Sequence, residues 1–211
     1  MKYFAWPVLL SFIMAVQGRA QAPAETAEAP KVAVNIKRVN LGEQLTPAFN
    51  VGGVKEKRWR QKTWIEADVE FEIKLPADAG GRQGTLSSMQ MTLYLALQHS
   101  TKDGKREVIK GTLDLVNIPA AETCHALAYV SPATMKLIFQ KDNVTASSDI
   151  QGWGVEFVVD GKVVRADSSV GKTAWWENAD KFAMLEGLLL SKGQTPFGPL
   201  WGDYDVPVKA K

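Results

Sequence analysis

Hydrophobic and polar residues alternate along much of this chain, and the alternation predicts strands. The clearest run extends from Trp64 to Leu75, with apolar residues at every odd position and mainly charged residues between them. A period of two over this length is typical of a strand that has one face in the core and one in water. We therefore interpret the acids from Glu66 to Glu72 as a solvated face. Similar alternation predicts strands near 32–37 and 89–98.

Two Asp-Gly pairs lie between such runs and predict tight hairpins. Asp103-Gly104 follows the run at 89–98, and Asp160-Gly161 separates two runs rich in valine. Counted together, the pattern predicts about seven strands at fairly even spacing, which is typical of a β-sandwich. The cysteine pair of antibody-type domains is missing, so the residues themselves predict the architecture only.

The C-terminal region changes character and predicts one amphipathic helix packed on the sandwich. Asn178 is a suitable helix cap, and Gly193 followed by Pro196 would end the helix. Four apolar residues fall on one face at helical spacing: Phe182, Leu185, Leu188 and Leu189. The tail at 195–208 is expected to be ordered by the packing of Phe197, Leu200, Trp201 and Tyr204.

The N-terminus predicts export. Residues 1–22 combine a basic start, a short apolar run and small-x-small sites, the pattern of a secretory signal peptide. Residues 23–31 predict a flexible tether, and residues 32–211 predict the sandwich domain with its helix and tail. Lys2 and Arg19 account for the whole net charge of +2, so no overall positive field favours nucleic acid as a partner. No transmembrane segment is expected after processing.

Little in the sequence indicates catalysis or a cofactor. The one cysteine, Cys124, excludes an internal disulfide, and two histidines exclude a histidine-rich metal site. Cys124 beside His125 fits a metal or thiolate site, but a buried strand residue is favoured. Carboxylates on a wet strand stay ionised, which argues against an acid/base pair. We therefore predict no enzyme, no catalytic or metal-binding residue and no cofactor.

Two groups of residues are candidates for contacts with partners. Lys55–Lys62 is a basic run around Trp59 that suits an anionic glycan, lipopolysaccharide or nucleic acid; protection of a strand edge is the alternative. Adjacent tryptophans on a strand would point to opposite faces, one in the core and one exposed. The candidate interaction residues are Arg58, Trp59, Arg60, Trp175 and Trp176.

The stretch LLLSKGQTPFGPLWGDY (188–204) follows Trp175-Trp176 and the strand at 152–157. Together they resemble the Verrucomicrobial family of small secreted pilus-like proteins encoded with type IV pilus-like machinery. The resemblance implies an immunoglobulin-like antiparallel β-sandwich without enzymatic activity, and it offers no catalytic residues. The chain departs from a pilin because its apolar run precedes the cleavage sites, so the assembly helix would be lost.

The function expected is therefore that of a non-enzymatic, exported protein of a pilus-like surface assembly that acts through protein–protein contacts. A carbohydrate-binding β-sandwich module is the alternative, and a hydrolase using Glu66 or Glu70 is the least favoured. The partners expected are proteins of that assembly, further copies of the chain, or a host or envelope glycan. The expected location is the periplasm, the outer membrane or the cell surface.

Overall fold

The computed structural model describes residues 32–49, 52–53, 55, 57–141, 144–171 and 174–209. Strands dominate this part of the chain, and the short helices are α1 (Pro132–Phe139), α2 (Ala146–Asp149) and four single 3-10 turns. The strands are β1 (Ala33–Leu45), β2 (Thr63–Lys74), β3 (Thr85–Ser100), β4 (Arg106–Pro119), β5 (Cys124–Val130), β6 (Ile150–Val159), β7 (Lys162–Ser168), β8 (Phe182–Glu186) and β9 (Leu189–Ser191).

The strands form two sheets that pack face to face. The first sheet has the order β1-β2-β5-β9, and the second has the order β7-β6-β3-β4-β8. Every pairing between strands is antiparallel except that of β4 with β8. Phe71 of the first sheet meets Phe157 of the second, with ring centroids 5.0 Å apart. The mainly β, sandwich-like architecture predicted from the alternation is therefore confirmed.

Both Asp-Gly pairs form the predicted turns. Asp160 and Gly161 both have positive φ, at 50° and 74°, as a two-residue type I′ turn requires. That turn joins β6 to β7, and Gly104 (φ 78°) lies in the connection from β3 to β4. The two hairpins pair β3 with β4 and β6 with β7, and the pairing of β3 with β6 joins them into four adjacent strands of the second sheet.

The predicted C-terminal amphipathic helix is wrong. The segment instead forms β8, parallel to β4, and β9, antiparallel to β5. Gly187, at φ 75°, lies between the two strands, which join different sheets. An isolated helix of this length is marginal in water, whereas existing sheet edges supply partners for the backbone at once. The Asn178 side chain accepts a hydrogen bond from the Asp180 amide (3.2 Å), and Asn178 follows the 3-10 turn at Trp175–Glu177 instead of beginning an α-helix.

The N-terminal predictions lie outside the described residues. The signal peptide at 1–22 and the tether at 23–31 both precede Val32, the first described residue. They remain predictions from the sequence. Within the described residues, no helix has the length and apolar character needed to cross a membrane.

Candidate functional site

The first group of predicted contact residues lies in the connection between β1 and β2, which we call the hairpin loop (residues 46–62, as far as they are described). Arg58, Trp59 and Arg60 are all exposed, and Trp59 keeps 54% of its surface in water. Phe49 of the same loop is exposed as well. The hairpin loop therefore presents aromatic and basic side chains together.

Hydrogen bonds at its base fix where the hairpin loop leaves the sheet. The Thr46 amide donates to the Lys62 carbonyl (2.9 Å), and the Gln61 side chain donates to the Thr46 carbonyl (2.7 Å). The indole Nε1 of Trp64 donates to the Thr46 hydroxyl at 3.1 Å. The two ends of the loop are thus held together, and the basic residues lie beyond this closed base.

The second predicted group lies elsewhere in the molecule. Trp175 and Trp176 form a 3-10 turn over the outer face of the second sheet. Trp176 is 5% exposed and stacks on Tyr94 with ring centroids 4.5 Å apart. A Cβ added at Gly154 would lie 2.1 Å from the Trp176 ring, so the indole occupies the space above this glycine.

The five predicted residues therefore do not form one site. Trp175 is half-buried and contacts Phe182, with 4.8 Å between the ring centroids. Both tryptophans belong to a packed cover, which we call the second-sheet cover (residues 174–182), and Trp176 offers almost no surface to a partner. Of the five predicted residues, only the three in the hairpin loop are exposed.

A site that was not predicted from the sequence lies on the outer face of the first sheet. The C-terminal segment at 192–206, which we call the first-sheet cover, crosses this face. Phe197 stacks on Tyr129 with centroids 4.8 Å apart and meets Trp64 edge-on at 5.8 Å. Tyr204 stacks on His125 at 4.2 Å. The prediction that aromatic residues order the tail is confirmed.

This cover corrects the interpretation of β2 as a wholly solvated face. Asp68 is only 9% exposed, because Tyr204 and His125 lie against it. Alternation along one strand shows which residues leave the core, but a distant segment decides whether they meet water. The aromatic residues of the tail were the signal in the sequence that pointed to such a cover.

Two carboxylates lie under the first-sheet cover, and neutral groups donate to both. Glu66 accepts hydrogen bonds from the Tyr129 hydroxyl (2.6 Å) and the Gln44 amide (3.1 Å). Asp68 accepts one from the Tyr204 hydroxyl at 2.7 Å, and His125 Nδ1 lies 2.9 Å from its other oxygen. Since the side chains of Glu66 and Asp68 leave the same face of β2, the two acids are neighbours.

A pocket of about 190 Å³ opens beside these acids. We call it the acidic pocket, and its lining residues are Gln44, Glu66, Asp68, Leu127, Trp201 and Tyr204. Trp201 and Tyr204 each keep 46% of their surface exposed, so both rings remain accessible. Aromatic surfaces next to hydrogen-bond acceptors can hold sugars, amines or guanidinium groups.

The electrostatics keep the tyrosine hydroxyls of this site protonated. Burial and the hydrogen bond to Glu66 raise the pKa of Tyr129 above its usual value. Burial and the hydrogen bond to Asp68 raise the pKa of Tyr204 in the same direction. Both hydroxyls therefore remain donors to the carboxylates over the physiological pH range.

The thiolate or metal site that Cys124 and His125 suggested is not supported by the surroundings of Cys124. Cys124 is buried, and burial first, with the charge of Glu122 next, raises the pKa of its thiol to about 11. A thiol held neutral in this way is a poor nucleophile. In the part of the chain that the structure describes, no three His, Cys, Asp or Glu residues come together as a metal site.

Comparison with known proteins gives a family and a fold. A protein-family model matches residues 25–211. The chain is also similar to a protein from Akkermansia muciniphila of known crystal structure, with a TM-score of 0.76 and 20% identity. The similarity covers 87% of this chain and 96% of that one, and at this identity it shows the fold alone. No curated protein matches the chain.

Proposed function

Since the chain belongs to the family whose model matches residues 25–211, and its fold is that of an Akkermansia protein, we propose that it is an exported, non-enzymatic component of a pilus-like surface assembly. It acts through protein–protein contacts in the periplasm, at the outer membrane or at the cell surface. In this proposal the sandwich is of the immunoglobulin-like kind, which the resemblance to pilus-like proteins implies.

The observation that supports this function best is the exposed hairpin loop. Trp59 lies between Arg58 and Arg60 in the sequence and is 54% exposed, and Phe49 of the same loop is exposed as well. Exposed tryptophan and arginine are the residues that most often dominate the energy of protein interfaces. The loop is also not required to cover the core, since its closed base lies outside the main cluster of buried residues.

A non-enzymatic role is supported by the state of the two carboxylates. General acid catalysis needs a carboxyl group that is free to give its proton to a substrate. Glu66 and Asp68 instead accept hydrogen bonds from Tyr129, Tyr204 and Gln44. These contacts fit a binding site better than a pair of catalytic acids.

Carbohydrate binding is the second candidate, and the acidic pocket favours it. Trp201 and Tyr204 offer flat rings for stacking on a sugar, and Glu66 and Asp68 offer acceptors for hydroxyl groups. Titration with monosaccharides and mucin glycans, followed by tryptophan fluorescence, tests this candidate. A response that disappears in Trp201→Ala supports it, and an unchanged spectrum with every glycan contradicts it.

The assembly function is tested by shearing cells and locating the protein with an antibody among surface particles, outer membrane, periplasm and medium. We expect recovery in large surface particles, and loss from them when Arg58, Trp59 and Arg60 are all changed to Ala. Val163→Ala is the control, because Val163 is an exposed apolar residue on β7 of the second sheet, whereas the loop joins β1 and β2 of the first sheet. Recovery only as a small periplasmic species contradicts the proposal.

A further inference from the structure

The two acids of the acidic pocket lack the partners that their neighbours on β2 have. Glu70 pairs with Arg38 at 3.5 Å, and Glu72 pairs with Lys37 at 3.1 Å. Among the described residues, no Lys or Arg pairs with Glu66 or Asp68.

This difference matters because Asp68 is nearly buried. A carboxylate withdrawn from water loses hydration free energy, and an opposite charge is what ordinarily restores it. The neighbouring His125 contacts Asp68, whereas no Lys, Arg or His of the described part of the chain contacts Glu66. The pocket is thus short of positive charge.

A second observation comes from the rim of the pocket. Trp201 has φ 50°, a left-handed conformation that is uncommon for a bulky side chain. The buried Lys192 holds it there, since its Nζ donates to the Trp201 carbonyl (3.0 Å) and pairs with Asp205 (2.5 Å). A strained residue persists only where its surroundings fix it, and such residues cluster at binding sites. Here the result is an indole ring held open to solvent next to two carboxylates.

The hairpin loop offers the complementary chemistry. The segment Lys55–Lys62 has five basic residues and one acid. Among the described residues, neither Arg58 nor Arg60 forms an ion pair, so both guanidinium groups are available. A guanidinium stacks on aromatic faces and pairs with carboxylates through two parallel hydrogen bonds. Both kinds of partner are present in the acidic pocket.

The size of the pocket favours one side chain over a larger ligand. Pockets for drug-sized molecules usually enclose about 300–1,000 Å³. The acidic pocket encloses about 190 Å³, which suits the end of an arginine.

We propose that the hairpin loop of one copy of this chain docks on the acidic pocket of a second copy. A guanidinium from Arg58 or Arg60 then lies between the carboxylates of Glu66 and Asp68 and the ring of Trp201. The proposal rests on the proposed function, because it names the contact through which copies of an assembly protein join. Loop and pocket are different patches, so reciprocal docking closes a dimer and one-way docking extends a chain.

A complementation experiment tests the contact, using the chain purified after export from its full-length gene. The loop variant is Arg58→Glu with Arg60→Glu, and the pocket variant is Trp201→Ala. Sedimentation at about 20 mM and about 500 mM NaCl separates charge-dependent association from other contacts. We expect the wild type to associate, most strongly at low salt, and each variant to associate at least about tenfold more weakly.

The decisive step is to mix the two variants. The loop variant keeps an intact pocket and the pocket variant keeps an intact loop, so the mixture regains one contact and forms a 1:1 complex. Arg82→Glu with Lys102→Glu is the matched control, since both residues are exposed and the charge change is the same. This control should associate like the wild type.

A peptide experiment tests the contact without the loop variant, so the result does not depend on how well that variant folds. The peptide KEKRWRQK, which is the loop sequence 55–62, should bind the wild type in calorimetry and bind Trp201→Ala at least about tenfold more weakly. The same peptide with glutamate at both arginine positions is the control and should not bind.

Three outcomes overturn the proposal: a wild type that stays monomeric at low salt, a loop variant that associates normally, or a mixture that forms no complex. A monomeric wild type that binds a sugar in the pocket assigns the pocket to a glycan. Recovery of the protein in surface particles, together with failed complementation, contradicts this contact but still supports the proposed function. Complementation by the mixed variants without recovery of the protein in surface particles supports this contact and contradicts the proposed function.

Discussion

The two sheets each carry a short segment across the outer face, and the segments differ in what they leave open. In the second-sheet cover, Trp176 lies flat on Tyr94 and fills the space above Gly154. The indole Nε1 atoms of Trp175 and Trp176 are buried without a partner among the described residues. Such unpaired donors cost free energy, so this cover is held by apolar packing.

The first-sheet cover begins in the same way and ends differently. Phe197 stacks on Tyr129 much as Trp176 stacks on Tyr94. The chain then continues to Trp201 and Tyr204, whose rings stay half exposed beside two carboxylates. At this end Lys192 pairs with Asp205 and donates to the Trp201 carbonyl, and Tyr204 donates to Asp68, in contrast to the unpaired indoles of the second-sheet cover.

Aromatic residues that lie in two covers of the same kind can therefore have opposite roles. A ring that closes over a glycine contributes to stability, while a ring held at the mouth of a pocket remains available to a partner. The comparison therefore predicts that substitutions in the second-sheet cover act on unfolding, and that those at the end of the first-sheet cover act on association.

The largest effect is expected for Trp176→Ala. Removing this buried indole exposes Tyr94 and leaves a cavity above Gly154, which should lower the free energy of unfolding by about 3–5 kcal/mol. Urea denaturation measures the loss. Trp176→Phe is the control, because it keeps an aromatic ring without the unpaired N–H and should lose much less. A normal unfolding midpoint together with lost association would restore Trp176 as a contact residue.

The next effect concerns the anchor of the first-sheet cover. Lys192→Ala removes the buried partner of Asp205 and the donor to the Trp201 carbonyl. Breaking one side of a buried ion pair should lower the free energy of unfolding by about 3 kcal/mol. Limited proteolysis should then cut the chain within 192–206 before the rest of the sandwich. Uniform cleavage, or an unchanged unfolding midpoint, would contradict an anchoring role.

Much of the sandwich could be predicted because its signals are local. The alternation along β2 and the turn at Asp160-Gly161 each depend on a few consecutive residues. The C-terminal helix could not be excluded in the same way. Leucines at helical spacing also suit two short strands that are separated by Gly187 and belong to different sheets, and only the sheet edges decide between these structures.

The hairpin loop and the acidic pocket differ in the same way in how far the sequence predicts them. Arg58, Trp59 and Arg60 are consecutive, so composition alone identified the hairpin loop. The acidic pocket brings together Gln44 from β1, two acids from β2 and Trp201 from the tail. No short stretch of sequence contains this combination, and the alternation of β2 even argued for full solvation of Asp68.

Alkaline pH should weaken the packing of both covers, because each cover stacks on a strand tyrosine that donates to a carboxylate. Tyr94 donates to Glu156 at 2.7 Å, and burial followed by this hydrogen bond raises its pKa, as for Tyr129. A raised pKa in the folded state means that the stabilisation is complete below the unfolded pKa of about 10 and is lost as the pH rises. The expected loss is about 1 kcal/mol per pH unit for each of these two tyrosines.

Absorbance at 295 nm checks this expectation. The chain has four tyrosines, and only Tyr3 precedes the three that donate to carboxylates. The exported protein should therefore show no tyrosine ionisation near pH 10 until the far-ultraviolet circular dichroism also changes. A reversible ionisation step near pH 10 in the folded protein would mean that at least one of these hydrogen bonds does not hold.

The smallest effect on stability is expected for Trp201→Ala, although this residue is as large as Trp176. Its ring is half exposed and meets Phe197 only at a centroid distance of 6.4 Å, so truncation removes little buried surface. Loss of less than about 1 kcal/mol in urea denaturation is expected, with a strong loss of association. A loss similar to that of Trp176→Ala would mean that both tryptophans serve the fold, and the comparison between the two covers would fail.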